Sequence, residues 1–220
     1  MPDFTTARRM MVDGQVRTSD VTDLRLIAAM LELPRERFVP RDKVALAYLD
    51  RDLPVTEGTA RPQRCLLKPM VLAKLIQAAE IGAGSRVLDV GTATGYSAAV
   101  MAQLAGSVVA LEQDEDLARH ARDNLAGVGN VEVVTGSLTA GWPAGAFYDA
   151  ILLNGATEHA PETLLRQLRD GGRLVCVLGR PPASKAVLYR STGGQVSARP
   201  IFDAAAPVLP GFAAKPAFVF

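Results

Sequence analysis

Two glycines with three residues between them pose the first chemical question. Gly91 and Gly95 lie in Asp89-Val90-Gly91-Thr92-Ala93-Thr94-Gly95-Tyr96. A β-type apolar run, 86–90, ends just before the first glycine. A small-residue helical run, 97–105, follows the second. Glycine reaches φ > 0 without steric penalty and lets a ligand approach the backbone closely. The free N–H groups at a helix start then face a polar or carboxylate group. The spacing alone also suits an ordinary tight turn. Glu112 strengthens the binding reading, because it ends the next β-type run 21 residues after Gly91. An acid at about that distance accepts hydrogen bonds from ribose hydroxyls in nucleotide-binding α/β proteins; otherwise it is a solvated strand end. The turn is not Gly-x-Gly-x-x-Gly, which disfavours a dinucleotide. It also lacks the Gly-Lys-Ser/Thr of a triphosphate loop, and nothing supplies a cation for three phosphates. A ligand with a ribose and adenine but no phosphate fits best.

Other residues offer chemistry around that turn. Arg61, Arg64 and Lys68 precede a helical run, and a guanidinium fork pairs well with a carboxylate; as bland surface charge they would need no partner. His120 falls on a polar helical run and is expected to be exposed. His159 follows the fourth β-type run near the expected mouth and is a candidate general base. Cys65 is either a reactive thiol or a small buried hydrophobe, and Cys176 lies in an apolar run. With two cysteines far apart, no Cys-x-x-Cys and two histidines, a structural zinc site is not expected. Trp142 is read as packing under a turn.

The elements that must position these residues change character near residue 80. Residues 5–50 read as helices with short breaks at Pro34 and Pro40, with Asp20 or Thr22 as a cap for the second helix. Residues 53–65 read as a loop and 68–79 as a helix with Pro69 in its first turn. Strands are then expected at 86–90, 108–112, 131–134, 150–153 and 173–178. Helices are expected at 97–105, 116–126 and 161–168. Segments 186–190 and 217–220 are candidates for the last strands. Alternation of this kind implies βαβ units, a mostly parallel, doubly wound, seven-stranded Rossmann-like sheet, and ligands beyond the C-terminal strand ends. The division is 1–80, an N-terminal helical extension with a substrate-side loop, and 81–220, the cofactor-binding domain. Apolar residues make up 49% of the 220, enough for a substantial core. Charge is balanced, with 24 Lys+Arg against 23 Asp+Glu, which argues against a broadly basic nucleic-acid-binding surface. No stretch reaches the ~20 apolar residues that span a bilayer, and no signal peptide is read at the N-terminus. A cytoplasmic protein is expected.

Val87-Leu88-Asp89-Val90-Gly91-Thr92-Ala93-Thr94-Gly95-Tyr96-Ser97-Ala98-Ala99 resembles the first motif of class I methyltransferases. More narrowly, it resembles protein-L-isoaspartate O-methyltransferases, where Gly-Thr-Gly-Ser-Gly-Tyr is typical; Ala93 replaces the middle glycine and Thr94 the serine. Met11-Val12-Asp13-Gly14-Gln15-Val16-Arg17 is similar to that family's Met-Val-x-x-Gln-Ile-Arg. Val39-Pro40, Ala47-Tyr48-Leu49-Asp50-Arg51-Asp52-Leu53-Pro54, Gly141-Trp142-Pro143, Phe147-Tyr148-Asp149-Ala150-Ile151 and Gly171-Gly172-Arg173 extend the likeness over most of the chain.

The resemblance implies S-adenosylmethionine as methyl donor and isoaspartyl sites in proteins as acceptor. It implies a cofactor site from Asp89, Gly91, Thr92, Ala93, Gly95, Tyr96 and Glu112, with Gln113 beside the adenine. Gly136, Ser137 and Leu138 take the family's Gly-Asp-Gly, so Ser137 stands where an aspartate would contact the adenine amino group. Asn154 sits where chemistry is usually placed in such folds. The family's Thr-Ile-Ser-Gln-Pro is Cys65-Leu66-Leu67-Lys68-Pro69 here. Leu67 therefore replaces the serine associated with the active site, and it has no hydrogen bond to give. Arg61, Arg64 or Lys68 would then meet the acceptor carboxylate. Three readings stand open: the isoaspartyl enzyme, a divergent methyltransferase with another acceptor, and a non-catalytic cofactor-binding or interaction module.

Overall fold

Apolar residues at helical spacing build the N-terminal layer, as expected. The computed structural model describes residues 3–56 and 63–214. Helix α1 (Phe4–Met11) passes through a π turn, Val12–Val16, into a 3-10 turn, Arg17–Ser19. Helix α2 (Leu24–Glu32) is capped by Asp23, whose carboxylate accepts from the Arg25 and Leu26 N–H groups, not by Asp20 or Thr22. Such a cap satisfies N–H groups that a helix start leaves free. Pro34 and Pro40 open two 3-10 segments, Arg35–Phe38 and Arg41–Leu46. The stretch read as a loop, 53–65, contains the start of a two-stranded pair: β1 (Leu53–Pro54) lies antiparallel to β2 (Cys65–Leu66). Helix α3 (Pro69–Ala78) follows, with Pro69 in its first turn.

The main sheet grows outward from β3 (Arg86–Val90). The chain continues through α4 (Tyr96–Ala102), β4 (Ser107–Glu112), α5 (Glu115–Leu125), β5 (Val131–Thr135) and β6 (Tyr148–Thr157). It then forms α6 (Glu162–Leu165), β7 (Leu168–Leu178), β8 (Lys185–Thr192) and β9 (Gln195–Asp203). The sheet order is β5-β4-β3-β6-β7-β8-β9. The first five strands are parallel; β8 and β9 are antiparallel additions. Strands β3, β4 and β6 are buried over nearly their whole length, which is why they read as continuous apolar runs rather than alternating ones. The chain leaves β3 toward β4 and β5, then returns to β6 on the other side of β3. That reversal opens a crevice beyond the C-terminal ends of β3 and β6, the place where such sheets bind ligands.

The two faces are covered unequally. One hydrophobic cluster joins Val12, Leu26 and Val71 from the N-terminal helices to α4, α5 and the sheet residues Val87, Val108 and Leu152. The other face carries Leu88, Ile151 and Cys176 under the short α6, Trp142 and the tail residues Leu209 and Phe212. Here the sequence expectations need correction. The helix read over 161–168 is only four residues long, because β7 begins at Leu168. Strand β9 was not expected. It is an edge strand, mostly exposed, and carries Pro200, which edge strands tolerate. It therefore shows no buried alternation to read. Segment 217–220 lies outside the described residues. No described helix is long and apolar enough to cross a membrane.

Candidate active site

The glycine turn is fixed from three directions. Gly91, Ala93 and Gly95 have φ of +82°, +54° and +97°. The Gly91 and Thr92 N–H groups both donate to the Leu111 carbonyl (2.8 and 3.1 Å), tying the turn to β4. The Ala93 N–H donates to Glu112 Oε2 (2.8 Å). The Thr94 hydroxyl donates to the Phe38 carbonyl (2.5 Å), tying the turn to the N-terminal layer. Tyr96 is fully buried, edge-on to Phe38, with the Arg35 guanidinium 4.7 Å from its ring centre.

Glu112 is 0% exposed and is the hub of the crevice. Besides Ala93, its carboxylate accepts from the N–H groups of Gln113 (2.9 Å) and Asp114 (3.2 Å) and from Arg64 Nη1 (2.6 Å). Its own backbone carbonyl accepts from the Gly136 N–H (2.9 Å), which holds the ends of β4 and β5 together. Gln113 and Ser137 are exposed there; Ser137 Oγ is 3.0 Å from Thr139 Oγ1, and Leu138 is buried in the second face.

A buried polar chain crosses the crevice floor. Asn154 Nδ2 donates to Ser97 Oγ (2.7 Å), and the Ser97 hydroxyl donates to Asp89 Oδ2 (2.6 Å). Burial, helped by the negative Glu112, raises the Asp89 pKa to about 6. Asp89 Oδ1, Thr92 Oγ1 and Asn154 Oδ1 are buried without a hydrogen-bond partner. Orphaned polar atoms are costly and uncommon in a folded interior. Here they flank the turn at the switch point of the sheet, and the polar end of a small cofactor would satisfy them.

The strip 63–68 closes the other side. Arg64 is buried, and its Nη2 donates to the Gly91 carbonyl (2.8 Å). Leu67 is 1% exposed and its side chain belongs to the core. Its carbonyl accepts from Arg35 Nη2, and Arg35 Nε donates to the Ala47 carbonyl, both at 2.8 Å. Burial pulls the Arg35 pKa below its ordinary value. The Lys68 N–H donates to Asp52 Oδ1 (2.9 Å), anchoring the start of α3. Burial pushes the Cys65 thiol up to about 11 and the Cys176 thiol up to about 12, so neither is a thiolate near neutral pH.

Of the residues singled out from sequence, the structure gathers Asp89, Gly91, Thr92, Ala93, Gly95, Tyr96, Glu112, Arg64 and Asn154 around one crevice. Gln113, Gly136, Ser137 and Leu138 mark its β4–β5 end. His120 is exposed beside a cleft of 1020 Å³ lined by Arg37, Phe38, Thr94 and Asn124, and neither Gly91 nor Glu112 lines that cleft. His159 is exposed and stacks on Phe212 with ring centres 6.2 Å apart. Arg61 lies outside the described residues. Three contributors went unread. Arg35 sits in a charged stretch with no sign of its burial. Ser97 is the second residue of a small-residue helix, eight residues after Asp89. Leu209 comes from a Pro- and Ala-rich tail, yet its N–H donates to the Ala156 carbonyl (2.9 Å) and its side chain packs against Gly91 and Gly155.

Residues 7–202 match the family described as protein-L-isoaspartate(D-aspartate) O-methyltransferase (PCMT). A protein named protein-L-isoaspartate O-methyltransferase from Methanoculleus marisnigri is 40% identical over 196 residues, 88% of this chain and 87% of the relative. Protein-L-isoaspartate O-methyltransferase 1 of Rhodopseudomonas palustris is 39% identical, covering 84% of this chain and 74% of the relative. A solved protein-L-isoaspartate O-methyltransferase superposes with a TM-score of 0.81 at 25% identity, covering 93% of this chain and 66% of that one. A solved putative relative from Plasmodium falciparum, in complex with S-adenosyl-L-homocysteine, shares the fold with a TM-score of 0.75 at 19% identity, covering 92% and 97% of the two chains. With residues 7–202 matched by the family and relatives 39–40% identical over most of its length, the chain belongs to the protein-L-isoaspartate O-methyltransferase family.

Proposed function

We propose that this chain is an S-adenosylmethionine-dependent O-methyltransferase that acts on the carboxylate of isoaspartyl residues in proteins, in the cytoplasm. The observation that carries the reading is the Gly91–Tyr96 turn locked onto a buried Glu112 at the switch point of a family fold. When bound, the cofactor supplies an activated methyl group on a sulfonium. Glu112 would accept from its ribose, Gln113 and Ser137 would face its adenine, and the orphaned Asp89, Thr92 and Asn154 oxygens would meet its amino-acid end. Residues 81–220 form the cofactor-binding domain in this reading, and residues 1–80 provide the acceptor side.

The protein's own task is mostly positional. A carboxylate is already an anion at neutral pH, so no general base has to remove a proton, and none is asked of His159. Holding acceptor oxygen and methyl carbon in line supplies the larger part of the effect. The buried chain Asn154–Ser97–Asp89 keeps the crevice floor rigid, and Leu209 shields it from water. On the acceptor side Leu67 offers no donor, and Arg64 is the cation within reach of the turn. Mass spectrometry of an isoaspartyl peptide incubated with the cofactor tests the reading. One added methyl group is expected; its absence, with the cofactor bound, overturns the isoaspartyl assignment. Burial of the Leu67 side chain favours a second reading, a methyltransferase for another carboxylate. A panel of small carboxylic acids turned over faster than the peptide would select it.

A further inference from the structure

Glu112 receives four hydrogen bonds, and one donor is unlike the rest. The Ala93, Gln113 and Asp114 N–H groups belong to the turn and to the end of β4, so the fold fixes them. The fourth is Arg64 Nη1, 48 residues away in sequence, at 2.6 Å. This ion pair is almost wholly buried, with side chains 4% and 0% exposed. Arg64 Nη2 bonds the Gly91 carbonyl, and Arg64 Nε is buried with no partner. Nη2 also stands 2.8 Å from where a Cβ on Gly91 would be. The guanidinium thus fills the room that Gly91 leaves for a ligand. It also occupies Oε1 of the carboxylate. Glu112 Oε1 already accepts three donors, against about two lone pairs per carboxylate oxygen. Oε2 accepts only the Ala93 N–H, but a ribose hydroxyl that bonds Oε1 has to replace a member of its set, and Arg64 is the one carried by a side chain.

We infer that Arg64 is an internal ligand of Glu112 that the cofactor's ribose displaces, and that the displaced guanidinium is the group that takes the acceptor carboxylate. The second half rests on the function proposed above. Leu67 faces the core, so the strip presents no hydroxyl at that position; Arg64, three residues before it, offers a bidentate fork. The two ligands then assist each other. A ribose on Glu112 frees Arg64, and a carboxylate on Arg64 spares it from standing unpaired beside the crevice. Such a coupling is reciprocal: each ligand tightens the other by the same factor. Arg64 acts here as an acceptor-binding and selectivity residue. A neutral acceptor would leave it on Glu112 and would keep cofactor affinity low.

Calorimetry with S-adenosylhomocysteine, the demethylated cofactor, tests this without turnover. Arg64→Gln is expected to bind it about tenfold more tightly than the native protein, within the usual range of such couplings. Saturating isoaspartyl peptide should tighten native binding by a similar factor and leave Arg64→Gln unchanged. Arg64→Lys keeps the charge but cannot bridge Glu112 and Gly91 with a fork, and should fall between the two. It also serves if the glutamine variant folds poorly. Equal or weaker binding by both variants overturns the competition. A peptide that binds but leaves native cofactor affinity unchanged overturns the coupling. Absence of peptide methylation, with Arg64→Gln still binding more tightly, overturns the isoaspartyl reading and leaves the competition standing.

Discussion

The turn around Gly91 and the strip from Arg64 to Lys68 border one crevice but are built by different means. The turn is held by backbone: Gly91, Thr92 and Ala93 donate N–H groups to β4 and to Glu112. The strip has one short backbone tie, the β1–β2 pairing with the Val55 N–H on the Arg64 carbonyl, and beyond it is held by side chains from elsewhere. Arg35 grips the Leu67 carbonyl, Asp52 grips the Lys68 N–H, and Arg64 reaches across to Glu112. Backbone-held geometry tolerates changes of side chain so long as φ can be met, as Ala93 meets it at +54°. Side-chain-held geometry changes when one residue changes, and at Leu67 the side chain belongs to the core and offers no donor. In the function proposed above, the cofactor half of the site is then the part whose shape resists substitution, and the acceptor half the part that a single substitution redirects.

The comparison breaks most visibly at Gly91. Valine there would need φ near +82°, a conformation that is a genuine outlier for a β-branched residue, and its Cβ would meet Arg64 Nη2 at 2.8 Å and Leu209 Cδ1 at 3.2 Å. Gly91→Val should weaken S-adenosylhomocysteine binding at least ~100-fold, about 3 kcal/mol. Calorimetry measures this, with far-UV circular dichroism to show that the fold survives. Near-native affinity would mean that the turn does not define the site.

Arg35 is the matching test of the strip. Arg35→Ala removes two buried charge-assisted bonds, to Ala47 and Leu67, and opens a cavity beneath Tyr96. Unfolding free energy from urea titration should fall by about 4 kcal/mol. A loss below ~1 kcal/mol would show that Arg35 does not hold the strip.

The crevice floor carries a pH signature. The folded Asp89 carboxyl has its pKa raised from 3.8 to about 6, so the native state holds this proton more tightly than the unfolded chain does. The group's contribution to stability is full below its unfolded pKa and is lost as pH rises through about 6. Asp89→Asn removes that loss. Its stability relative to the native protein should rise by about 2 kcal/mol between pH 4.5 and pH 7.5, from the roughly 1.5 pKa units of the shift that lie in that window. Thermal or urea unfolding at the two pH values reads the difference. A pH-independent difference would place the titration elsewhere.

The difference between the halves also explains how much could be read in advance. Strands β3, β4 and β6 were legible because burial on both faces leaves an uninterrupted apolar run, and Gly91, Gly95 and Glu112 were legible because backbone-held sites impose residue types at fixed spacing. The strip was legible only as a departure: Leu67 could be seen to lack a donor, but not to face the core. The reach of Arg64 to Glu112 spans 48 residues and leaves no local pattern, and a buried Arg35 looks like any other arginine beside Glu36 and Arg37. Strand β9 was missed for the opposite reason, since an exposed edge has little burial to encode. The short α6 was overestimated because Leu164, Leu165 and Leu168 share an apolar face whether the last of them is helical or begins a strand.

The smallest effect is expected at Ala93, and it tests whether backbone geometry alone governs the turn. Ala93 is fully buried with φ +54°, and its N–H is one of the donors on Glu112. A left-handed conformation costs a non-glycine residue roughly 1–2 kcal/mol. Ala93→Gly relieves that strain, but it loses a buried methyl worth ~0.8 kcal/mol and adds about 0.5–1 kcal/mol of backbone entropy to the unfolded chain. The opposing contributions nearly cancel, so stability should change by no more than about 0.5 kcal/mol, with cofactor affinity unchanged. Ala93→Val gains no such offset. It places a β-branched residue at positive φ and should lose ~2 kcal/mol or more in the same urea titration. If glycine and valine shifted stability equally, side-chain packing rather than φ would be setting the turn, and the contrast with the strip would fail at the position where the chain departs from its family.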